Sequence, residues 1–243
     1  MPPAEELPGN PAGVGQGVLY VIATPIGNRG DFSPRAVETL RSCDLIAVED
    51  TRKVRRLLDP HGSFSAPLQA YHEHNELALA PRLADRIAAG QRVALLSEAG
   101  TPAVSDPGFR LVRECRRRGL PVSPIPGPSA AVAALSVSGL PSDGFLFLGF
   151  LPPKGAARRR IFEQYRDFPH TLIFYESTHR ILKFLDDVVA VLGEDRILCV
   201  AREITKQYET ILTGPAQDLA NTFNSQSTKG EFVVLIAKAG FAL

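Results

Sequence analysis

The sequence predicts an α/β protein of two domains, with a parallel N-terminal sheet and a mixed C-terminal sheet. Three observations lead there. From residue 18 onward, apolar runs of strand length alternate with segments of helical period. In the first half those runs, such as VLYVIAT and RVALLS, are apolar almost throughout, as strands buried on both faces are. In the second half, the pattern from Gln207 onward reads as a hairpin element, which a purely parallel sheet does not contain.

The elements follow in order. Residues 18–24 form the first strand, and PIGNRGD the loop behind it. Ser33 and Pro34 supply an N-cap and a first-turn proline, with Val37 and Leu40 on the apolar face of the helix they open. Residues 44–49 (DLIAVE) are the second strand, followed by a basic helix over 51–58. Residues 67–72 give a third strand and 76–89 a helix closed by Gly90. The fourth strand, 92–97, leads into the loop SEAGTPAVSDPG and a helix over 109–118 that Gly119 closes. Residues 121–125 are a short strand, PGPS is a turn, and 129–137 is a helix of small residues. The pattern shifts at SGLPSDG, which sets the domain boundary there: an N-terminal domain over 18–140 and a C-terminal domain over 145–243. The second domain carries strands over 145–151, 171–176, 196–202, 207–213 and 232–237, and helices over 156–165, 179–192 and 218–223. Residues 1–17, rich in Pro and Gly, are expected to be a disordered tail.

Composition narrows the class. The chain has 243 residues, 44% hydrophobic and 22% charged, with net charge +1, which excludes a disordered, collagen-like or disulfide-scaffold protein. No apolar run reaches the roughly 18 residues of a membrane span, and the N-terminal residues lack the basic and apolar regions of a signal peptide. Three widely spaced cysteines without a CxxC pair argue against a disulfide framework and a zinc ribbon, and for a reducing, cytoplasmic compartment. The near-zero charge conceals 21 Arg against 6 Lys. Clusters at Arg52, Lys53, Arg55 and Arg56, at Arg116, Arg117 and Arg118, and at Lys154, Arg158, Arg159 and Arg160 suit phosphate recognition, or else are solvated helix faces.

Chemistry is expected in the loops at the carboxyl ends of strands. ATPIGNRGD follows the first strand but is not G-x-G-x-x-G, so a nicotinamide-binding fingerprint is absent. SEAGTPAVSDPG, stiffened by two prolines, offers hydroxyls, backbone groups and two acids. IPGPSA opens the small-residue helix, where a backbone or ligand can come close. His72 and His74 in HEHN lack the i, i+4 spacing of a helical zinc motif, and no metal site is expected.

Taken together, ATPIGNRGD, AVEDTR, YHEHNE, SEAGTPAVSDPG, PIPGPSA, FLGFLP, FYES, ARE-TK and KGEFV occur in one order across residues 19–237. This set resembles the bacterial ribosomal RNA small subunit methyltransferase I family, class III S-adenosylmethionine (SAM)-dependent methyltransferases of the tetrapyrrole methylase superfamily. The resemblance implies SAM as cofactor, in a cleft between the two domains. It implies 2′-O-methylation of the ribose of a cytidine in the decoding region of 16S rRNA within the small ribosomal subunit, and a homodimer. By superfamily analogy, SAM contacts fall on Pro25, Gly100, Thr101, Val104, Ser129, Ala130, Tyr175, Ala201, Arg202 and Gly230. Three positions depart from the family's pattern: Glu98 stands where Asp is usual, Ala103 where Gly is frequent, and Thr178 where Pro is common.

Two other functions share this reading: methylation of a tetrapyrrole or other small substrate on the same fold, and a non-catalytic ribosome-assembly protein that binds RNA. For methylation of a ribose hydroxyl, a weak nucleophile, a titratable group at a strand's carboxyl end must take or share the proton. Glu49, Asp50, His72, His74 and Asp106 meet that description. Asp106, in the expected cofactor loop, comes first, unless it only caps the next helix; His72 is second, and Arg52 would fix a neighbouring phosphate. The expected RNA footprint is Arg52, Arg55, Arg56, Lys154, Arg158, Arg159 and Arg160.

Overall fold

The computed structural model describes residues 16–62 and 64–243; apart from Gln16 and Gly17, the tail expected over residues 1–17 lies outside them. The described residues divide into two compact units, 16–25 with 29–62 and 64–127, and 26–28 with 128–243.

The first unit is built on a five-stranded, wholly parallel sheet in the order β3-β2-β4-β1-β5, with β1 Val18–Ile22, β2 Leu45–Val48, β3 Leu68–Ala70, β4 Arg92–Leu96 and β5 Val122–Ile125. Four helices follow the first four strands: α1 Pro34–Ser42, α2 Thr51–Leu58, α3 Glu76–Ala88 and α4 Phe109–Arg117. Alternation along β1 sends Val18, Tyr20 and Ile22 into one core with α1 and α2, through Ala36, Val37, Leu40, Val54 and Leu58. Leu19 faces the opposite core, where Leu83, Ile87, Leu111 and Cys115 of α3 and α4 close over it. Burial on both faces is why these strands read as unbroken apolar runs. Ser33 caps α1, its hydroxyl accepting from the Ala36 N–H at 3.1 Å. Because the helices after β1 and β4 lie on opposite faces, the neighbouring pair β1–β4 is a topological switch point, the position at which open α/β sheets bind ligands.

The second unit has a mixed sheet in the order β6-β7-β10-β8-β9: β6 Phe145–Phe150, β7 Thr171–Ser177, β8 Ile197–Arg202, β9 Thr210–Pro215 and β10 Glu231–Ile236. β6 and β7 are parallel, and β10 runs antiparallel to both β7 and β8. α6 Gly155–Gln164, α7 Ile181–Leu192 and α8 Ala216–Asn224 cover one face around Phe162, Phe174, Phe184 and Phe223. α5 Ala130–Val137 covers the other, through Ala131, Ala134 and Leu135 against Ile173, Cys199, Ala201 and Val233.

That packing corrects the expected boundary. The chain divides at residues 127/128, not across 141–144, because the small-residue helix buries its apolar face on the second sheet. The hairpin strand also begins later than residue 207. Glu203 (φ 51°) and Thr205 (φ 67°) turn the chain through left-handed conformations first, and β9 starts at Thr210.

Candidate active site

The carboxyl edge of the first sheet is organised by one short bridge. The Thr24 N–H donates to the Gly100 carbonyl at 2.9 Å, and the Gly100 N–H donates back to Thr24 at 3.1 Å. The Ser97 hydroxyl also donates to the Gly100 carbonyl, at 3.1 Å, and the Thr24 hydroxyl to the Ser97 carbonyl, at 3.2 Å. The loops after β1 and β4 are thereby locked together across the switch point, with Pro25 buried beside the bridge. Gly100 sits at φ 82°, a left-handed conformation that favours glycine, and its N–H and carbonyl are both engaged. Thr101 and Val104, the other contacts expected on this loop, follow it. Of these Val104 is exposed.

Further round this loop the backbone is strained. Ala103 (φ 67°) and Ser105 (φ 60°) are left-handed without being glycine, a conformation costing about 1–2 kcal/mol per residue. The loop thus holds Asp106 in place by conformation more than by sequence-local capping. Gly108 occupies the N-cap of α4 with no side-chain bond, so Asp106 is not that helix's cap.

The charges here are distributed unevenly. Asp106 is half-buried, and its pKa is pushed up to about 6, first by desolvation and then by the negative charges of Glu49 and Glu98. Glu49, following β2, is likewise raised, mainly by burial and by Glu98, against the opposing charge of Lys53. Lys53, in the first turn of α2, donates to Glu98 at 2.6 Å, and its ammonium is stabilised mainly by that bond. Asp50 is committed elsewhere: it caps α2, accepting from the Arg52 N–H at 2.8 Å, which lowers its pKa. A capping carboxylate held in its charged form is a poor proton acceptor, which removes Asp50 from the activating candidates.

The His72 ring is held by Asn75. Asn75 is fixed by two backbone partners, its Oδ1 accepting from the His72 N–H at 2.9 Å and its Nδ2 donating to the Ala70 carbonyl at 3.1 Å. Nδ2 also lies 3.2 Å from His72 Nε2, so Nε2 accepts and, in the neutral ring, Nδ1 carries the hydrogen. Nδ1 is buried without a partner. A base must offer its lone pair, and in His72 that pair is engaged. His74 is exposed beside Glu73, its ring packed edge-on against His72 at 5.8 Å.

In the second unit, Tyr175 and Ala201 lie on either side of Val233 in the sheet. Tyr175 makes edge contacts with Phe147 and Phe150, at 4.8 and 5.6 Å between ring centres. Ala201 is completely buried in the core under α5. Arg202 donates from Nε to the Lys229 carbonyl at 2.7 Å, next to Gly230 at φ 121°. A Cβ at Gly230 would come within 2.4 Å of Glu203, so only glycine fits. Ser129 is the N-cap of α5 in extended conformation, its hydroxyl not used for capping. Thr178, where proline is common in the family, donates from its hydroxyl to the Thr228 carbonyl.

The basic clusters separate on inspection. Arg52 (87% exposed side chain), Arg55 and Arg56 project from α2. Lys154 and Arg160 are exposed as well. Arg158 is not: it is 3% exposed, donates twice to Asp187 of α7, from Nε at 2.8 Å and from Nη2, and bonds the Lys183 carbonyl at 3.1 Å. Its place in the expected RNA footprint is therefore corrected; it is a core ion pair. Arg159 is exposed but shares Asp187, at 2.8 Å. In the third cluster, Arg117 and Arg118 pair with Glu114, at 2.7 and 2.6 Å. Sequence reasoning missed the Lys53–Glu98 pair and the Thr24 bridge; AVEDTRK and SEAGTP carry those residues, but nothing local links them.

Among the described residues no three His, Cys, Asp or Glu side chains converge as a metal site, and no helix is long and apolar enough to cross a membrane.

Residues 18–220 match the family of Tetrapyrrole (Corrin/Porphyrin) Methylases. The chain is 51% identical over 227 residues to the ribosomal RNA small subunit methyltransferase I of Xylella fastidiosa, covering 92% of this chain and 82% of that protein. It is 49% identical to the protein of the same name from Escherichia coli O157:H7, covering 91% and 78%. Among solved structures, diphthine synthase superposes with a TM-score of 0.70 at 15% identity, covering 93% of this chain and 91% of that one. The uroporphyrin-III-C-methyltransferase of Thermus thermophilus gives 0.60 at 19% identity, covering 92% and 95%. At those identities the structural likeness speaks for the fold.

Proposed function

The chain belongs to the tetrapyrrole methylase family and, within it, to the ribosomal RNA small subunit methyltransferase I group, and from that membership we propose that it methylates the 2′-hydroxyl of a cytidine ribose in the decoding region of 16S rRNA, with Asp106 taking the hydroxyl's proton. The observation that carries the substrate reading is about 50% identity to small-subunit rRNA methyltransferases over more than nine-tenths of the chain. The methyl donor of the family is SAM.

The residues present fit that donor. Gly100 and Gly230 both take left-handed conformations that favour glycine. The Ser129 hydroxyl is not spent on capping, and Tyr175 offers an aromatic surface held by Phe147 and Phe150. The family resemblance carries the expected contacts onto Thr101 and Val104 in the first unit and, separately, onto Ser129, Ala130, Tyr175, Arg202 and Gly230 in the second. When bound, SAM supplies a methyl group on a sulfonium, an electrophile that needs no metal.

The chain's own residues then have three tasks. The rigid loop after β4 orients the acceptor, which is the main source of rate in an in-line displacement. Asp106 accepts the proton; a carboxyl pushed up to about 6 is a far better acceptor near neutrality than an ordinary aspartate. The exposed Arg52, Arg55, Arg56, Lys154 and Arg160 bind phosphates and set register without reading bases. The working enzyme is a cytoplasmic homodimer.

The deciding experiment uses labelled SAM with small subunits, free 16S rRNA and small-molecule acceptors side by side, followed by mapping of the modified nucleotide. The 2′-O-methyl group on a cytidine is the expected product. Label on a small acceptor and none on RNA would overturn the substrate reading. Single-turnover methylation by Asp106→Asn at the parent rate, with SAM and RNA binding intact, would remove Asp106 from its role.

A further inference from the structure

We propose that the outer row of α4, Phe109, Arg113 and Arg116, is a second RNA-binding surface: Phe109 stacks on an unpaired base close to the target nucleotide, and the two arginines hold the phosphates that follow it. This deepens the rRNA reading given above and rests on it.

The row follows from helix geometry. α4 turns Leu111 and Cys115 into the core of the first unit, where both are completely buried. At about 3.6 residues per turn, the positions opposite that pair are Phe109, Arg113 and Arg116, and all three are exposed. Spaced at i, i+4 and i+7, they form one row roughly 10 Å long. Phe109 is 61% exposed although it opens the helix directly behind an ordered loop. Leu77, in the first turn of α3, is 71% exposed. The starts of these two helices lie side by side: Glu76 pairs with Arg110 at 3.0 Å, and its Oε2 accepts from the Gly108 N–H at 3.5 Å. The row thus has an apolar end, three residues beyond Asp106 in the chain, and a cationic body running away from it.

The charge of that body is uncompensated. Glu114 is spent on Arg117 and Arg118, Asp85 on Arg118, and Glu76 on Arg110. Arg113 makes no ion pair among the described residues, and Arg116 reaches only the Val122 carbonyl, at 3.5 Å. Two guanidiniums in line with an exposed aromatic ring match a single strand of RNA, which offers both phosphates and unpaired base faces. A second copy of this chain fits worse, because a two-fold contact centred on the row would set Arg113 against its own copy. The row also complements α2. β2 and β4 are parallel neighbours, so α2 and α4 start from adjacent strand ends. They then leave on opposite faces of the sheet, α2 packing with Tyr20 and Ile46, α4 with Leu19 and Leu83. An RNA strand reaching that edge meets Arg52, Arg55 and Arg56 on one side and Arg113 and Arg116 on the other.

The chain has no tryptophan, so Phe109→Trp places a single indole in the row. Its fluorescence should be quenched on adding small ribosomal subunits or free 16S rRNA, because stacking on a base quenches indole. Binding is measured in parallel as a function of salt. Phe109→Ala is expected to weaken it about tenfold, the size of one lost base stack, at unchanged salt slope. Phe109→Tyr should recover the affinity; Phe109→Leu, which keeps the apolar bulk without the flat ring, should not. Arg113→Ala combined with Arg116→Ala should reduce the slope by about 1.4, two single-strand phosphate contacts. All three positions are exposed, and thermal melts check the fold of each variant. An indole that stays bright in the bound complex, or full recovery by Phe109→Leu, would overturn the stacking. Parent affinity and slope in both Phe109→Ala and the double arginine variant, with replacement of Arg52, Arg55 and Arg56 still weakening binding, would overturn the surface and leave the rRNA reading standing. Absence of binding by the parent chain would overturn both. If Phe109→Ala changes the sedimentation of the protein but not its RNA affinity, the row is a contact between copies of this chain and the proposal fails.

Discussion

Replacing Asp187 with Ala should destabilise the second unit severely, because it strands a buried cation. The Arg158 guanidinium is 3% exposed and makes two of its three hydrogen bonds to Asp187. Breaking a buried pair by deleting one partner costs about 3–5 kcal/mol, since the remaining charge stays desolvated. The exposed Arg159 partner adds little to that. Urea denaturation would read the loss as a lower midpoint at unchanged slope. Removing both charges together, as Arg158→Met with Asp187→Leu, should recover most of the loss, because apolar groups of similar volume fill the site without a desolvation penalty. If Asp187→Ala lost under about 1 kcal/mol, Arg158 would be free to swing to solvent. The burial argument would then be refuted, and Arg158 would return to the exposed basic set.

Other outcomes follow from the same structure. Ala103→Gly relieves a left-handed alanine at φ 67° and should raise the thermal midpoint, by the equivalent of about 1 kcal/mol; a lowered midpoint would count against the strain. Replacing Arg52, Arg55 and Arg56 by Ala should weaken RNA binding and reduce the salt slope by about 0.7–0.9 per lost phosphate contact, while Arg158→Met combined with Asp187→Leu leaves the slope unchanged. Asp106 has a folded pKa of about 6, raised above its ordinary value. Between those two values the native state binds more protons than the unfolded one, so its charge lowers stability as pH rises. Asp106→Asn should thus stabilise the protein at pH 7 and do nothing below about pH 4, which thermal melts across that range would check. Cys43 and Cys115 are buried, and burial pushes their thiols up to about 12 and about 11. A native-state thiol titration should find both unreactive, and rapid labelling would contradict their burial.

The sequence by itself determined the local elements and the edge on which chemistry sits. Ser33–Pro34, Gly90 and Gly119 mark helix ends through backbone conformation and capping, which act within a few residues. Strand burial on both faces writes itself as unbroken apolar runs, so the parallel first sheet and the loops after β1 and β4 were legible. Tertiary structure alone decided what depends on partners far along the chain. The small-residue helix α5 could have packed on either sheet; only the fit of Ala131, Ala134 and Leu135 onto Ile173, Cys199 and Val233 assigns it to the second. Arg158 looks like its neighbours in RRR, and only Asp187, 29 residues away, reveals that it is buried and paired. Lys53 and Glu98 are 45 residues apart, and Asp106 gains its basicity first from burial and then from the charges of Glu49 and Glu98. Periodicity and capping are short-range and leave a pattern in the sequence. Charge environment and burial are sums over neighbours in space, and those neighbours exist only once the chain has folded.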